Sequence, residues 1–180
     1  WGFATNDYDL YLFNSLTGTI VASSTYISSL VGIPEEGITY TVPASGTYYI
    51  EIKKKVSNKT SKFNLFNMNH SLQYTVASGS IGIPADSLVA LSVGAVAWNT
   101  PTTLETYSSQ GPTTDGRIKP DIVAPTGVST VSYGTNAFPG TSSSAPHVSA
   151  AAALVKQANP TWTPAQIKSF LEGRAVDLGP

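Results

Sequence analysis

Cysteine is absent from these 180 residues. That excludes disulfide bridges, thiol nucleophiles and cysteine-ligated zinc. Histidine is nearly absent as well. His70 and His147 stand far apart, and no HExxH segment or His-rich tract offers a zinc-binding pattern. Charge is also scarce: Asp, Glu, Lys and Arg make up 12% of the chain, half of the usual level of about 25%. With a net charge of −1 the chain has no overall pull toward nucleic acid or an anionic membrane. No apolar run reaches the ~18 residues of a membrane span, and no segment has the pattern of a signal peptide. The sequence opens on Trp1 and stops at Gly179-Pro180, just past a helical pattern. It is expected to be part of a longer protein.

What is present falls into two textures. Up to about residue 77, short segments rich in aromatic and β-branched residues alternate with turn chemistry. Asp9–Phe13, Thr19–Ala22, Thr39–Val42, Thr47–Ile52, Lys62–Phe66 and Leu72–Val76 are predicted strands. Their number and spacing predict a small antiparallel β-sandwich, jelly-roll-like, over residues 1–77. In "TYYIEI" the alternation would put Tyr48, Ile50 and Ile52 on one face. The lysines of "KKKVSNKTSK" (Lys53, Lys54, Lys55, Lys59 and Lys62) read as a solvated hairpin tip or as a contact for an acidic polymer. Asn58 and Asn69 head N-x-[ST] sequons, which matter only in a host that glycosylates secreted proteins. Asp7 and Asp9 have two readings, as oxygen ligands for Ca²⁺ or as caps on the turn into the first strand.

After the break at "ASGSIGIPADS" the chain becomes α/β, over residues 78–180. Leu88–Ala97 is a near-continuous run of apolar and small residues, predicted to be a strand buried on both faces of a parallel sheet. Ile122–Ala124 is a second, shorter strand ended by Pro125. An Ala-rich helix is predicted over Ser142–Ala158, stopped by Asn159-Pro160. A last helix has Thr163 at its N-cap, Pro164 at N1 and Gln166 at N3, which is a capping box, and ends at Gly173. Ile167, Phe170 and Leu171 carry the spacing of one buried face.

The stretch "GTSSSAPHVSAAAAL" invites a chemical reading. A serine hydroxyl needs a base and a fixed presentation to act as a nucleophile. Gly140 would allow a tight turn. Ser142 would then stand in the first turn of a long helix, where free N–H groups and the positive dipole end favour developing negative charge. Pro146 would be tolerated because first-turn amides have no helical partner. A Ser/Thr-rich loop capping an ordinary helix is the plain alternative.

The residues Gly140, Thr141, Ser142, Ser144, Pro146 and His147 fit G-T-S-x-[SA]-x-P-H, and the segment resembles the serine motif of the subtilisin-like serine proteases (subtilases, peptidase family S8). "YSSQGP" (107–112), "KPDIVAP" (119–125) and "IPADSLVALSVGAV" are similar to three further blocks of that family, in the same order. The resemblance implies the C-terminal part of a three-layer α/β domain with a parallel sheet. It also implies peptide-bond hydrolysis through an acyl-enzyme, with polypeptide substrates, secretion and no required cofactor. Ser142 falls on the nucleophile, its N–H on the oxyanion hole; Thr141 would support that hole and Gly140 would line the substrate site. The family order is Asp, His, oxyanion-hole Asn, then Ser, and no D-[ST]-G or H-G-T segment precedes Ser142 here. His147 lies on the helix of Ser142 about 140° around its axis and reads as a packed helix residue. His70 reads as a solvent-exposed turn residue, and Asp86 and Asp121 as structural. The missing partners are expected in an N-terminal part of the same catalytic domain, and without them the chain is expected to be nearly inactive. The β-rich module resembles a prepeptidase C-terminal-type β-sandwich, on Asn6-Asp7-Tyr8-Asp9 and Ser45-Gly46-Thr47-Tyr48. Two other readings stand beside this one: a pseudoenzyme or non-catalytic module whose sandwich binds protein or polysaccharide, and a stand-alone hydrolase using His70.

Overall fold

A computed structural model describes residues 5–27, 32 and 34–178. It divides into two compact units, Trp1–Asn69 and His70–Pro180.

The first unit is built on one antiparallel sheet. Its strands are β1 (Asp7–Asn14), β2 (Ile20–Ser24) and β3 (Tyr48–Val56), in the order β2-β1-β3. The central strand is rich in aromatic and branched residues, and its partners meet it in register, Leu12 facing Ala22 on one side and Ile50 on the other. Phe13 is opposite Tyr49, and their rings stack with centroids 4.8 Å apart. Of the six predicted strands, only the three that can be zipped onto this ladder form. Thr39–Val42, Lys62–Phe66 and Leu72–Val76 have strand composition but no ladder partner, and a second packed sheet is not seen among the described residues. Ile52 is more exposed than Tyr48 and Ile50, so the shared face is shorter than the alternation predicts. Lys53, Lys54 and Lys55 lie inside β3 rather than at a hairpin tip. There the ammonium group of Lys55 stands 3.3 Å from the buried carboxylate of Asp9.

The second unit holds the apolar core found among the described residues: Ala95, Val96, Ala124 and Val148. Strands β4 (Val93–Ala97), β5 (Thr100–Leu104) and β6 (Ile122–Thr126) form a sheet in the order β5-β4-β6. β4 and β6 are parallel, with Ala95 opposite Ala124, while β5 returns antiparallel. The strand predicted over Leu88–Ala97 is therefore shortened. Its ladder begins at Val93, where Ile122 first offers a partner, and Leu88 and Val89 are exposed. Pro125 lies within β6 instead of ending it; β6 is an edge strand, where a missing N–H leaves no ladder bond unmade. A two-stranded hairpin follows, β7 (Val128–Thr130) with β8 (Gly134–Phe138).

Helix α1 (Thr141–Ala158) packs over β4 and β6. Its protected stripe is Ser144, Val148, Ala151 and Val155, the i, i+4, i+7, i+11 spacing of one helical face. The stripe is small because the sheet below is small: Ala95 and Ala124 let the helix approach until Ser144 Oγ donates to the Pro125 carbonyl at 3.2 Å. Helix α2 (Pro164–Glu172) starts on the predicted capping box. The side chain of Thr163 accepts from the Gln166 amide and that of Gln166 from the Thr163 amide. Ile167, Phe170 and Leu171 are half-buried on one face.

One carboxylate joins these parts. Asp121 Oδ2 accepts from the Ser92 amide at 2.7 Å, the Ser92 hydroxyl at 2.8 Å and Lys119 Nζ at 2.7 Å. Its Oδ1 accepts from Lys168 Nζ on α2, also at 2.7 Å. Burial alone would raise the Asp121 pKa. The two lysines and Ser92 outweigh it and hold the carboxyl at about 2, against an ordinary 3.8. Lys119, buried in turn, also donates to the Ala90 carbonyl at 3.0 Å.

Replacing Asp121 by Asn would leave a buried ammonium without its counter-charge, a loss on the order of 3–5 kcal/mol, read from urea unfolding at neutral pH. Because the folded-state pKa is depressed, the stabilisation is complete above the ordinary carboxylate pKa and disappears as pH falls toward about 2. Unfolding curves between pH 5 and 2 should then converge for wild type and Asp121→Asn. Gly94 offers a second test. A Cβ there would lie 2.8 Å from Pro120 Cγ and 2.9 Å from Ser108 Oγ. Gly94→Ala is expected to lower stability by about 1–3 kcal/mol; an unchanged melting temperature would contradict this packing.

Candidate active site

The chain reaches the start of α1 through Pro139 and Gly140. Gly140 is the N-cap, with φ 92° and ψ 163°, a conformation essentially reserved for glycine, and no side chain caps the helix. A Cβ on Gly140 would come 3.8 Å from Ser142 Oγ, so the residue both turns the backbone and leaves room beside the hydroxyl. Ser142 is the second residue of α1 and is exposed. Its neighbours are not: Ser143 and Ser144 are 1% and 0% exposed. Three consecutive serines thus have different environments, and only the first presents its hydroxyl to solvent. The Ser143 amide makes an early turn bond to the Gly140 carbonyl at 2.9 Å. The amides of Thr141 and Ser142 belong to the helix start, whose N–H groups lack intrahelical acceptors. An exposed hydroxyl beside such donors can attack a carbonyl carbon and have the resulting oxyanion stabilised where it forms.

Pro146 sits in the second turn rather than the first. The amide it lacks would have bonded to the Ser142 carbonyl, so the ring does remove one helical bond. His147 is exposed instead of packed, and its Nδ1 donates to the Ser143 carbonyl at 2.8 Å. That bond holds the imidazole over the helix start on the Ser143 side. His70 is an exposed residue in a bend of the second unit.

Behind the helix start lies a polar cluster that the sequence reading missed. Thr126, 1% exposed, donates from Oγ1 to the Gly140 carbonyl at 3.0 Å. The Tyr107 hydroxyl donates to Thr126 Oγ1 at 3.2 Å and accepts from the Gly140 amide at 3.3 Å. Tyr107 belongs to "YSSQGP", so the loop was visible as a motif, but its target was not. The next residue, Ser108, is 2% exposed and accepts the Ala95 amide at 3.0 Å, tying the same loop to β4.

Asp7 and Asp9 lie inside β1, not in the turn leading to it, and both are buried. Asp9 Oδ2 accepts from the Tyr11 hydroxyl at 2.6 Å and faces Lys55. The bond to Asp9 raises the Tyr11 phenol above its usual pKa. Among the described residues no group of three or more His, Cys, Asp or Glu side chains could hold a metal ion.

The Gly140 backbone yields a test of its own. Gly140→Ala forces a side chain into a region that costs about 1–3 kcal/mol, and the protein is expected to lose that much stability in thermal or urea unfolding.

A family profile described as the subtilase family matches residues 31–180. Among curated proteins, the alkaline elastase YaB of Bacillus sp. (strain YaB) is 40% identical over 105 residues, 57% of this chain and 26% of that protein. The minor extracellular protease Vpr of Bacillus subtilis (strain 168) is 43% identical over 83 residues, 40% of this chain and 10% of that protein. The subtilisin-like protease SBT1.9 of Arabidopsis thaliana is 41% identical over 91 residues, 41% of this chain and 12% of that protein. The matched part thus spans about a quarter or less of each of these relatives.

Proposed function

Since the chain belongs to the subtilase family, we propose that residues 78–180 are the nucleophile-bearing part of a serine endopeptidase domain, preceded by a β-rich module over residues 1–77. The supporting observation is the presentation of Ser142: exposed, second in α1, and beside a glycine whose φ is 92°. In this reading Ser142 Oγ attacks the carbonyl carbon of a peptide bond and its proton passes to a histidine base. The oxyanion is stabilised by the Ser142 N–H and the helix dipole, with Thr141 beside it and Gly140 lining the approach. The amine leaves with the proton, and water then hydrolyses the acyl-enzyme.

His147 is not assigned the role of base: it stands five residues beyond Ser142 on the same helix, about 140° around the axis, and its ring bonds to the Ser143 carbonyl at 2.8 Å. The base, the carboxylate that orients it and the oxyanion-hole asparagine come, in this reading, from polypeptide outside residues 1–180. Substrates are polypeptides and the reaction is extracellular, in keeping with a relative named as an extracellular protease. No cofactor is required by this chemistry.

The test uses the full-length protein. Hydrolysis of a fluorogenic peptide is expected to fall at least about 10³-fold in Ser142→Ala, and a fluorophosphonate probe to label Ser142 in the wild type alone. Turnover that survives Ser142→Ala would refute the assignment. Residues 1–180 alone are expected to hydrolyse the peptide at a rate close to background.

A further inference from the structure

The polar cluster behind Gly140 closes on a single residue. Followed donor to acceptor, it runs from the Gly140 amide to the Tyr107 hydroxyl at 3.3 Å, from there to Thr126 Oγ1 at 3.2 Å, and back to the Gly140 carbonyl at 3.0 Å. Each hydroxyl both accepts and donates, so each bond polarises the next in the same sense. The two side chains come from different parts of the second unit. Thr126 ends β6, a core strand, and is 1% exposed; Tyr107 lies in the loop anchored to β4 through Ser108. They grip both polar backbone groups of the one residue whose torsion sets the direction of α1.

From this geometry we infer that Thr126 and Tyr107 are positioning residues for the Ser142 nucleophile. The inference rests on the endopeptidase reading. Neither side chain touches the Ser142 hydroxyl. They act through the Gly140 peptide, whose carbonyl also accepts the Ser143 amide at 2.9 Å, the first bond of the helix start. Gly140 has no side chain of its own to restrain φ, and the helix has no side-chain cap. The ring of hydroxyls replaces both restraints. It fixes the orientation of the two peptide units that flank the Gly140 Cα, and thereby where the Ser142 hydroxyl and amide stand relative to a bound carbonyl. Binding of substrate residues remote from the scissile bond does not depend on it, so its loss should appear in kcat and not in KM.

The experiment compares full-length wild type with Thr126→Val, Tyr107→Phe and Thr126→Ser, with kcat expressed per site titrated by a fluorophosphonate. Thr126→Val keeps the shape but removes the hydroxyl. Its kcat is expected to fall by up to about 100-fold with KM little changed, Tyr107→Phe to fall less, and Thr126→Ser to recover most of the wild-type rate. A purely structural role would reduce the number of titratable sites and leave kcat per site unchanged, which would overturn the inference; so would a Thr126→Ser protein as slow as Thr126→Val. Amide hydrogen exchange at Gly140 is a readout independent of activity. Faster exchange in Thr126→Val and Tyr107→Phe, with slow exchange restored in Thr126→Ser, supports the clamp; equal rates in all four proteins refute it. Should wild type fail both to turn over peptide and to react at Ser142, the endopeptidase reading falls, and the exchange rates still decide whether the clamp exists.

Discussion

Four hydrogen bonds converge on the carboxylate of Asp121, and the α/β unit depends on them. They reach it from the amide and the hydroxyl of Ser92 just before β4, from Lys119 just before β6, and from Lys168 on α2. The first two sources start the parallel pair in register, since Val93 meets Ile122 immediately after the residues that share this oxygen. The third fastens the last helix to the same point. A buried ion pair is weak evidence for stability, because desolvation opposes it. Here the carboxylate has enough donors to overcome that penalty, and the geometry it imposes is specific: two strand starts and one helix, held at one end of a small sheet.

From that end the order passes along the strands to the other. Ala95 and Ala124 face each other in the core, and their size allows α1 to lie close enough for Ser144 to bond to the β6 backbone. The beginning of α1 is thereby fixed from beneath by Ser144 and from behind by Thr126 and Tyr107. Ser142 is left facing outward while Ser143 and Ser144 are covered. The small residues around Ser142 are therefore a requirement of approach distance between helix and sheet.

Features whose causes are local were legible in the sequence. The Thr163–Gln166 capping box and the glycine following α2 act within a few residues of one another, and that helix formed where it was read. The start of α1 at Gly140 was legible for the same reason. Features requiring a distant partner were not. Lys62–Phe66 and Leu72–Val76 have the composition of strands but found no ladder, and Leu88–Val89 extend beyond the last residue that Ile122 and its neighbours can pair. Conversely, β5, "TPTTL", is polar and carries a proline, yet Val96 and Leu104 pair it onto β4. At the candidate site, the placing of Ser142 in the first turn of a helix was legible through a local motif. The grip on Gly140 was not, because Tyr107 lies 33 residues away in sequence and only folding brings its hydroxyl there.

The β7–β8 hairpin has a mouth closed twice, by Thr126 on Gly140 and by the Gly127 amide on the Phe138 carbonyl at 2.9 Å. Everything between those closures is a tethered excursion whose tip exposes Val131, while the half-exposed Tyr133 stacks back on Phe138 with ring centroids 4.5 Å apart. Closing a loop twice as long costs only about 0.6 kcal/mol more. That excursion can therefore be lengthened or shortened without breaking the bonds that hold Gly140 and Phe138 at its mouth.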